Sequence, residues 1–205
     1  MHTNENAESH NEEIPEIPGV DLTKTEVTPF QEIIIDELPP GSIIDIGAGG
    51  DGVIAQIGGE RITAIDKRQS EIDEAIHKAP DAKWLVADAL DLPFEDEEFD
   101  NATSFFSGMY MSHEDKKNVI KEVHRVLPAG GEFWIWDSKI KTDKEGFLIV
   151  LAVSLPGKEK FNTGYGTNIT NQDEDIFKNY LSEAGFSIEE IDVKKHWFFI
   201  RAKKN

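Results

Sequence analysis

The chain has 205 residues, a length typical of one domain with extensions. It carries 40 acidic and 21 basic residues, and the net charge of −19 disfavours binding to nucleic acid or to an anionic membrane surface. Cysteine is absent, which excludes disulfides, a cysteine nucleophile and thiolate metal sites. The longest apolar run, residues 147–153, is too short for a membrane-spanning helix. We expect a cytoplasmic protein that handles small molecules or protein partners.

Residues 1–24 are acidic, contain two prolines, and predict a flexible tail. Order is expected from Thr28 onward, because Thr28 and Gln31 have the spacing of a helix capping box and Pro29 suits the first helical position. The next apolar residues recur at helical spacing, and they are Phe30, Ile33, Ile34 and Leu38. The pattern predicts a helix from Thr28 to Leu38.

The middle of the chain alternates short apolar runs with helical patterns. Strands are predicted at 43–46, 62–65, 84–87, 99–106 and 133–136. Helices are predicted at 53–57, 70–79 and 112–127. Such an alternation is typical of a parallel sheet that is covered on both faces.

The last third of the chain departs from this alternation. A helix is predicted at 171–184, and strands at 186–193 and 196–203 lie so close in sequence that they must be antiparallel. Residues 138–170 fit no strand–helix unit, and they predict a hairpin-like insertion. We therefore expect one α/β domain over residues 25–205, with one antiparallel strand near the edge of a mostly parallel sheet.

The most informative segment is IIDIGAGGDG, residues 43–52, where a strand runs into glycines and then into a helix. Glycines let a ligand approach the backbone closely, and a helix N-terminus offers free amide donors. Gly47, Gly49 and Gly52 also spell G-x-G-x-x-G, the dinucleotide-binding pattern.

Two acids argue against a dinucleotide in this loop. Asp45 precedes the glycines and Asp51 lies among them, and no basic residue is expected nearby to offset their charges. Both carboxylates would lie close to a pyrophosphate and repel it. A ligand without phosphate that carries positive charge fits better.

The D-x-G-x-G loop resembles the first cofactor motif of the class I S-adenosylmethionine-dependent methyltransferases, with Asp45, Gly47 and Gly49 at the matching positions. Asp51 stands where that family often has another glycine. The resemblance extends over about residues 28–137, and over 171–203 in outline. It implies a Rossmann-like fold with a seven-stranded sheet and helices on both faces, and S-adenosylmethionine as the cofactor.

The resemblance also implies which residues contact the cofactor. Asp66, at the end of the second strand, would accept hydrogen bonds from both ribose hydroxyls. Asp88 would accept from the adenine amine, and the end of the fourth strand would pass the methionine part. The full set is Asp45, Gly47, Ala48, Gly49, Asp66, Lys67, Asp88, Ala89, Leu90, Ser104 and Phe105.

The implied reaction is in-line methyl transfer to a small-molecule acceptor, which needs a general base only if the acceptor must lose a proton. The candidates are His113, Tyr110 and Tyr165. His113 is also typical of a solvated first-turn residue, and Tyr110 of a side chain packed over the cofactor. Tyr165 would either cover the acceptor or pack the insertion against a sheet edge or a second subunit. No spacing of His, Asp and Glu indicates a metal site.

Two other functions remain open at this stage. A nicotinamide-dependent oxidoreductase would use the literal G-x-G-x-x-G, although the chain lacks a second nucleotide-binding half. A protein that binds S-adenosylmethionine without catalysis is the other alternative, because no residue is unmistakably catalytic. The acceptor atom is not specified by the sequence, and either a monomer or a homodimer is expected.

Overall fold

A computed structural model of the chain describes residues 21–205, so most of the predicted tail lies outside the described residues. Four α-helices lie in this range: α1 (Ala55–Gly58), α2 (Gln69–Ala75), α3 (His113–Val126) and α4 (Glu174–Ala184). The strands of the same range are β1 (Thr25–Val27), β2 (Gln31–Ile34), β3 (Ile43–Ile46), β4 (Ile62–Asp66), β5 (Lys83–Val86), β6 (Asn101–Phe105), β7 (Glu132–Ser138), β8 (Ile140–Lys141), β9 (Gly146–Ser154), β10 (Phe161–Thr167), β11 (Asn171–Gln172), β12 (Phe186–Val193) and β13 (Trp197–Lys204). None of the helices in residues 21–205 is long and apolar enough to cross a membrane.

The main sheet has seven strands in the order β12-β13-β7-β6-β3-β4-β5. The five strands from β7 to β5 are parallel to their neighbours, whereas β13 pairs antiparallel with both β7 and β12. The expected Rossmann-like α/β sheet with one antiparallel strand near its edge is confirmed. All parallel strands end at one edge, which is where ligands bind in open α/β sheets.

The two faces of the main sheet are covered differently. Ile44 and Ile46 of β3 pack in one core with the apolar faces of α3 and α4. Ile43, on the opposite face, packs in a second core that includes α1. The long helix α3 begins with a capping box between Ser112 and Asp115, which satisfies backbone donors at its first turn.

A second sheet of four strands completes the second core. Strand β9 lies at its centre, with β1 and β2 parallel on one side and β10 antiparallel on the other. Alternate side chains of β9, including Phe147, Ile149 and Leu151, pack in the same core as Trp134 and Trp136 of the main sheet. The predicted hairpin is therefore present as β9 and β10, but it belongs to a larger sheet that covers the main one.

The helix predicted from Thr28 to Leu38 is wrong, because this segment forms β1, β2 and a loop. Ile33 and Ile35 are buried at 1% and 2% exposure, whereas Ile34 between them is 58% exposed. That alternation is the period of a strand, and β-branched side chains favour it. The backbone pairs with β9, where Ile33 lies opposite Val153.

The helix predicted from residue 171 begins later, at Glu174. Asp173 caps it by accepting a hydrogen bond from the amide of Ile176 at 3.0 Å. The preceding residues Asn171–Gln172 form β11, which pairs with β8. This short ribbon connects the end of β7 to α4 beside the ligand edge of the sheet.

Candidate functional site

The glycine loop follows β3 at the ligand edge of the main sheet. Gly47, Gly49 and Gly52 have φ of 66°, 60° and 54°, in the left-handed region that favours glycine. A Cβ on Gly47 would lie 2.5 Å from the hydroxyl oxygen of Ser107, and one on Gly52 would lie 2.8 Å from the Trp84 ring. Conformation therefore favours glycine at all three positions, and close packing adds to this at Gly47 and Gly52.

Two carboxylates accept hydrogen bonds from the amides of this loop. Oδ2 of Asp66 accepts from Gly49 N at 3.1 Å, and Oε2 of Glu71 accepts from Gly50 N at 2.7 Å. The other oxygen of Asp66 accepts from the amide of Arg68 at 2.9 Å. The amides that would donate hydrogen bonds to a phosphate therefore already donate them to carboxylates.

Asp45 is the most buried acid of the loop, at 1% exposure. Its Oδ1 accepts a hydrogen bond from the hydroxyl of Thr103 on β6 at 2.8 Å. Burial, opposed by the hydrogen bond from Thr103 and assisted by the nearby charge of Asp66, raises the pKa of Asp45 to about 7. A cation beside Asp45 would favour its ionised form.

Asp51 has more partners than the sequence indicated. Its Oδ1 lies 3.0 Å from the ammonium of Lys78, which corrects the expectation that no basic group offsets this acid. Its Oδ2 accepts hydrogen bonds from the hydroxyls of Thr163 at 2.6 Å and Tyr165 at 3.1 Å. Asp51 therefore connects the glycine loop to β10 of the insertion.

The loop that follows β6 has a strained backbone conformation close to the contact between Asp51 and β10. Phe106 has φ of 51°, which is unfavourable for a bulky residue, and its ring stacks on Tyr165 with centroids 5.6 Å apart. Phe105 packs edge-on against the same ring at 6.2 Å. The end of β6, the glycine loop and β10 therefore meet at one place.

With this geometry in view, residues 44–135 match the family model for a methyltransferase domain. Over these residues the chain is therefore similar to a methyltransferase domain. The fold agrees with a solved S-adenosylmethionine-dependent methyltransferase from Methanosarcina mazei. That structure has a TM-score of 0.59 and 21% sequence identity, with 80% of this chain and 92% of that chain covered.

Curated proteins that are similar to this chain are named for the methylation of small molecules. A sterol 4-C-methyltransferase from Caenorhabditis elegans is 35% identical over 49% of this chain and 31% of its own length. A demethylmenaquinone methyltransferase from Chlorobaculum tepidum is 30% identical over 70% of this chain and 64% of its own length. The chain thus spans about a third to two thirds of the relatives named here.

The remaining residues that the sequence predicts at a cofactor are placed as follows. Ala48 donates its amide to the carbonyl of Ile65 at 2.9 Å, and Lys67 is exposed. Asp88 follows β5 and is exposed. Its Oδ1 accepts a hydrogen bond from the amide of Leu90 at 3.0 Å, so Oδ2 is not used in this turn. Leu90 is 40% exposed and Ala89 half-buried.

Ser104 and Phe105 face opposite sides of the main sheet. Phe105 lies on the side of Tyr165, in the core that holds the second sheet. Ser104 lines a small cavity with Lys116 of α3 and Phe177 of α4, so the structure does not bring its side chain to the glycine loop. Alternation along β6 accounts for this difference.

Several residues of the site were missed from the sequence. Thr103, Glu71 and Thr163 bind acids or amides of the glycine loop, and Ser107 has a buried hydroxyl without a hydrogen-bond partner in the described chain, packed against Gly47. Only the position of Ser107, directly after the strand that the resemblance placed at the cofactor, gave a usable signal. The others depend on contacts between segments distant in sequence.

The three candidate bases expected from the sequence lie in different surroundings. His113 Nδ1 lies 3.0 Å from the hydroxyl of Tyr180 on α4, at the outer end of α3. The side chain of Tyr110 is 51% exposed, and its partial desolvation raises the pKa of the phenol while the charge of Arg68 lowers it. Burial and the charge of Asp51 raise the pKa of Tyr165 well above its usual range, so this phenol is a hydrogen-bond donor.

Within residues 21–205, no group of three or more histidine, aspartate or glutamate side chains is placed to hold a metal ion.

Proposed function

We propose that the protein transfers a methyl group from S-adenosylmethionine to a small, largely apolar acceptor by in-line displacement. The methyltransferase domain supports this activity, as do relatives whose names specify sterol and demethylmenaquinone methylation. The single observation that carries the proposal is the acidic lining of the glycine loop. Asp45, Asp51, Asp66 and Glu71 lie on or beside its backbone.

This lining fits a cationic cofactor without phosphate. When bound, S-adenosylmethionine supplies a methyl group activated by its sulfonium, which is the leaving group. The loop carboxylates of Asp45 and Asp66 would favour the positive charge of the ligand. A dinucleotide pyrophosphate would instead have to displace Asp66 and Glu71 from the amides of Gly49 and Gly50. The nicotinamide alternative is therefore disfavoured.

We assign the cofactor contacts residue by residue. Asp66 would hold the ribose hydroxyls, since a carboxylate has lone pairs beyond those used by Gly49 and Arg68. Asp88 would accept from the adenine amine, with Leu90 packed on the ring. The buried hydroxyl of Ser107, which has no partner among the described residues, would bind the amino-acid end.

The acceptor half would be walled by aromatic residues. Phe105, Phe106 and Tyr165 pack together at the end of β6, and Trp136 lies 6.2 Å from Phe105. Such a wall excludes water from the methyl group and aligns a flat, apolar acceptor. None of the three candidate bases is placed as an evident proton acceptor, so alignment is the main contribution of the chain.

Calorimetric titration tests the cofactor. S-adenosylhomocysteine should bind and raise the melting temperature, whereas NAD and NADP should have little effect. Stabilisation by NAD without stabilisation by S-adenosylhomocysteine would reject the proposal.

A second experiment measures formation of S-adenosylhomocysteine with a panel of quinols, sterols and smaller phenols. Turnover with an apolar ring acceptor is expected. Binding of S-adenosylhomocysteine without turnover on any acceptor would instead support a binding protein that does not catalyse.

We further propose a cytoplasmic location and a monomer or homodimer. The acidic, cysteine-free composition supports the location. Sedimentation of the purified protein, with and without S-adenosylhomocysteine, distinguishes the two assembly states.

A further inference from the structure

Asp51 lies in the middle of the glycine loop, and its side chain binds a distant part of the chain. It is flanked by Gly50 and Gly52, and its side chain is 22% exposed. Its backbone carbonyl accepts a hydrogen bond from the side chain of Gln56 at 3.0 Å, which ties this part of the loop to α1. The position of the Asp51 carboxylate therefore follows the position of the loop backbone.

Strand β10 binds this carboxylate through two hydroxyls. Oδ2 of Asp51 accepts a hydrogen bond from Thr163 at 2.6 Å and another from Tyr165 at 3.1 Å. Residues two apart in a strand share a face, so both hydroxyls reach the same oxygen. Thr163 is only 9% exposed. Hydrogen bonds to an ionised acceptor are about twice as strong as neutral ones, and partial exclusion of water strengthens them further.

The other oxygen of Asp51 is held by a lysine. Oδ1 lies 3.0 Å from Nζ of Lys78, and the same ammonium lies 2.8 Å from a carboxylate oxygen of Glu74 on α2. With one oxygen bound to Lys78 and the other to β10, the carboxylate has little freedom to rotate. Asp51 therefore connects three segments, which are α2, the glycine loop and β10.

The same stretch of β10 also contacts the segment that follows β6. The ring of Tyr165 stacks on Phe106, and the hydroxyl of Thr167 donates a hydrogen bond to the carbonyl of Met109 at 2.7 Å. Strand β10 pairs with β9, whose residues opposite Thr163 and Tyr165 are fully buried. Asp51 thus joins the glycine loop to a strand that carries part of the proposed aromatic wall of the acceptor half.

We propose that Asp51 is a positioning residue that couples the two halves of the site, so that cofactor binding at the glycine loop fixes β10 and holds Tyr165 over the acceptor. A ligand bound against the loop narrows the conformations of its glycine backbone. The carboxylate of Asp51 moves with that backbone, and its bonds to Thr163 and Tyr165 become more persistent. The coupling is reciprocal, because a link that lets the cofactor order β10 also lets β10 favour cofactor binding. That Tyr165 faces the acceptor rests on the proposed function.

Hydrogen exchange of β10 tests the coupling in the full-length protein, with S-adenosylhomocysteine as the probe. Saturating ligand should slow exchange of the amides of residues 162–166 at least about threefold in the wild-type protein. Asp51→Ala should lose this slowing. The double variant Thr163→Val/Tyr165→Phe removes the same link from the β10 side and should match it. Asp73→Ala, which removes an exposed acid of α2, is the control and should behave like the wild type.

Turnover gives a second readout, which separates positioning from packing. With an active acceptor, kcat should fall about tenfold in Asp51→Ala and about threefold in Thr163→Val, which leaves the bond from Tyr165 in place. Thr163→Ser keeps the hydroxyl and should restore both kcat and the slowing of exchange. Exchange in β12 and β13 should be the same in all variants, which verifies that the main sheet is intact. If Asp51→Ala does not fold, the comparison of Thr163→Val with Thr163→Ser decides the role of the link.

The outcomes distinguish the coupling from the proposed function. Binding of S-adenosylhomocysteine without slowed exchange in β10, or equal slowing in the wild type and Asp51→Ala, would overturn the coupling and leave the proposed function intact. Normal kcat in Asp51→Ala would overturn the positioning role. If no acceptor is methylated but the ligand slows exchange in the wild type and not in Asp51→Ala, the proposed function fails and the coupling stands.

Discussion

The two faces of the main sheet are covered by structures of different kinds. On one face, α3 and α4 each carry a continuous apolar stripe and bury it against the strands. On the other face, the second sheet is assembled from β1, β2, β9 and β10, which come from two distant parts of the chain. The second face also reaches the glycine loop, because the hydroxyls of Thr163 and Tyr165 bind Asp51. The helical face therefore serves stability, whereas the sheet face links stability to the ligand site.

The largest effect is expected when one buried leucine is truncated on each face, which tests the difference between the two faces most directly. Leu151 of β9 and Leu181 of α4 are both 0% exposed, so Leu151→Ala and Leu181→Ala should each cost about 2–5 kcal/mol of unfolding free energy. Leu151 pairs with Thr163, so only Leu151→Ala should also weaken binding of S-adenosylhomocysteine. Urea unfolding and calorimetry measure both quantities, and equal affinities in the two variants would contradict the link.

The next largest effect is expected at Asp66. Asp66→Ala should weaken cofactor binding by about 1.5–3 kcal/mol, the range for hydrogen bonds to a charged group. The fold should survive, because the side chain lies at the end of β4 beside the loop. Asp73→Ala on the exposed face of α2 is the matched control, and unchanged affinity in Asp66→Ala would show that the ribose lies elsewhere.

A substitution of Tyr165 tests whether the sheet-covered face contributes to turnover. Tyr165→Ala should slow turnover at least about tenfold, roughly 1.4 kcal/mol of barrier, with a smaller change in affinity for S-adenosylhomocysteine. Tyr165→Phe keeps the stack on Phe106 and removes only the bond to Asp51, so it separates the ring from the hydroxyl. Lost thermal stability or an altered oligomer with near-normal turnover would indicate a packing role alone.

The smallest expected effect is a pH dependence that originates at Asp45. Because the pKa of Asp45 is about 7, its carboxyl in the ligand-free protein is mostly protonated at pH 6 and mostly ionised at pH 8. A cationic ligand prefers the ionised form, so affinity for S-adenosylmethionine should rise up to about tenfold over this range. Asp45→Asn should bind more weakly and show a flat profile, and the comparison is made by calorimetry at both pH values.

The local motifs were predictable and the contacts between distant segments were not. The glycine loop, the acid at the end of β4 and the amphipathic stripe of α3 each follow from neighbouring residues. The strands around Ile33 were assigned to a helix because their apolar spacing also fits a helical face, and only pairing with β9 selects the strand. For the same reason, the partners of Asp51 on β10 and its ion pair with Lys78 could not be inferred.

The position of β9 at the centre of the second sheet has a consequence for how the protein forms during synthesis. Strands β1 and β2 precede most of the domain in the chain, but their hydrogen-bonding partner is β9, which follows β7. Strands β1 and β2 therefore stay unpaired with β9 until the ribosome has synthesised residues up to 154. Such late closure favours slow folding and transient exposure of strand edges. Chaperone binding to nascent chains should accordingly be strongest before β9 emerges and decline once it pairs.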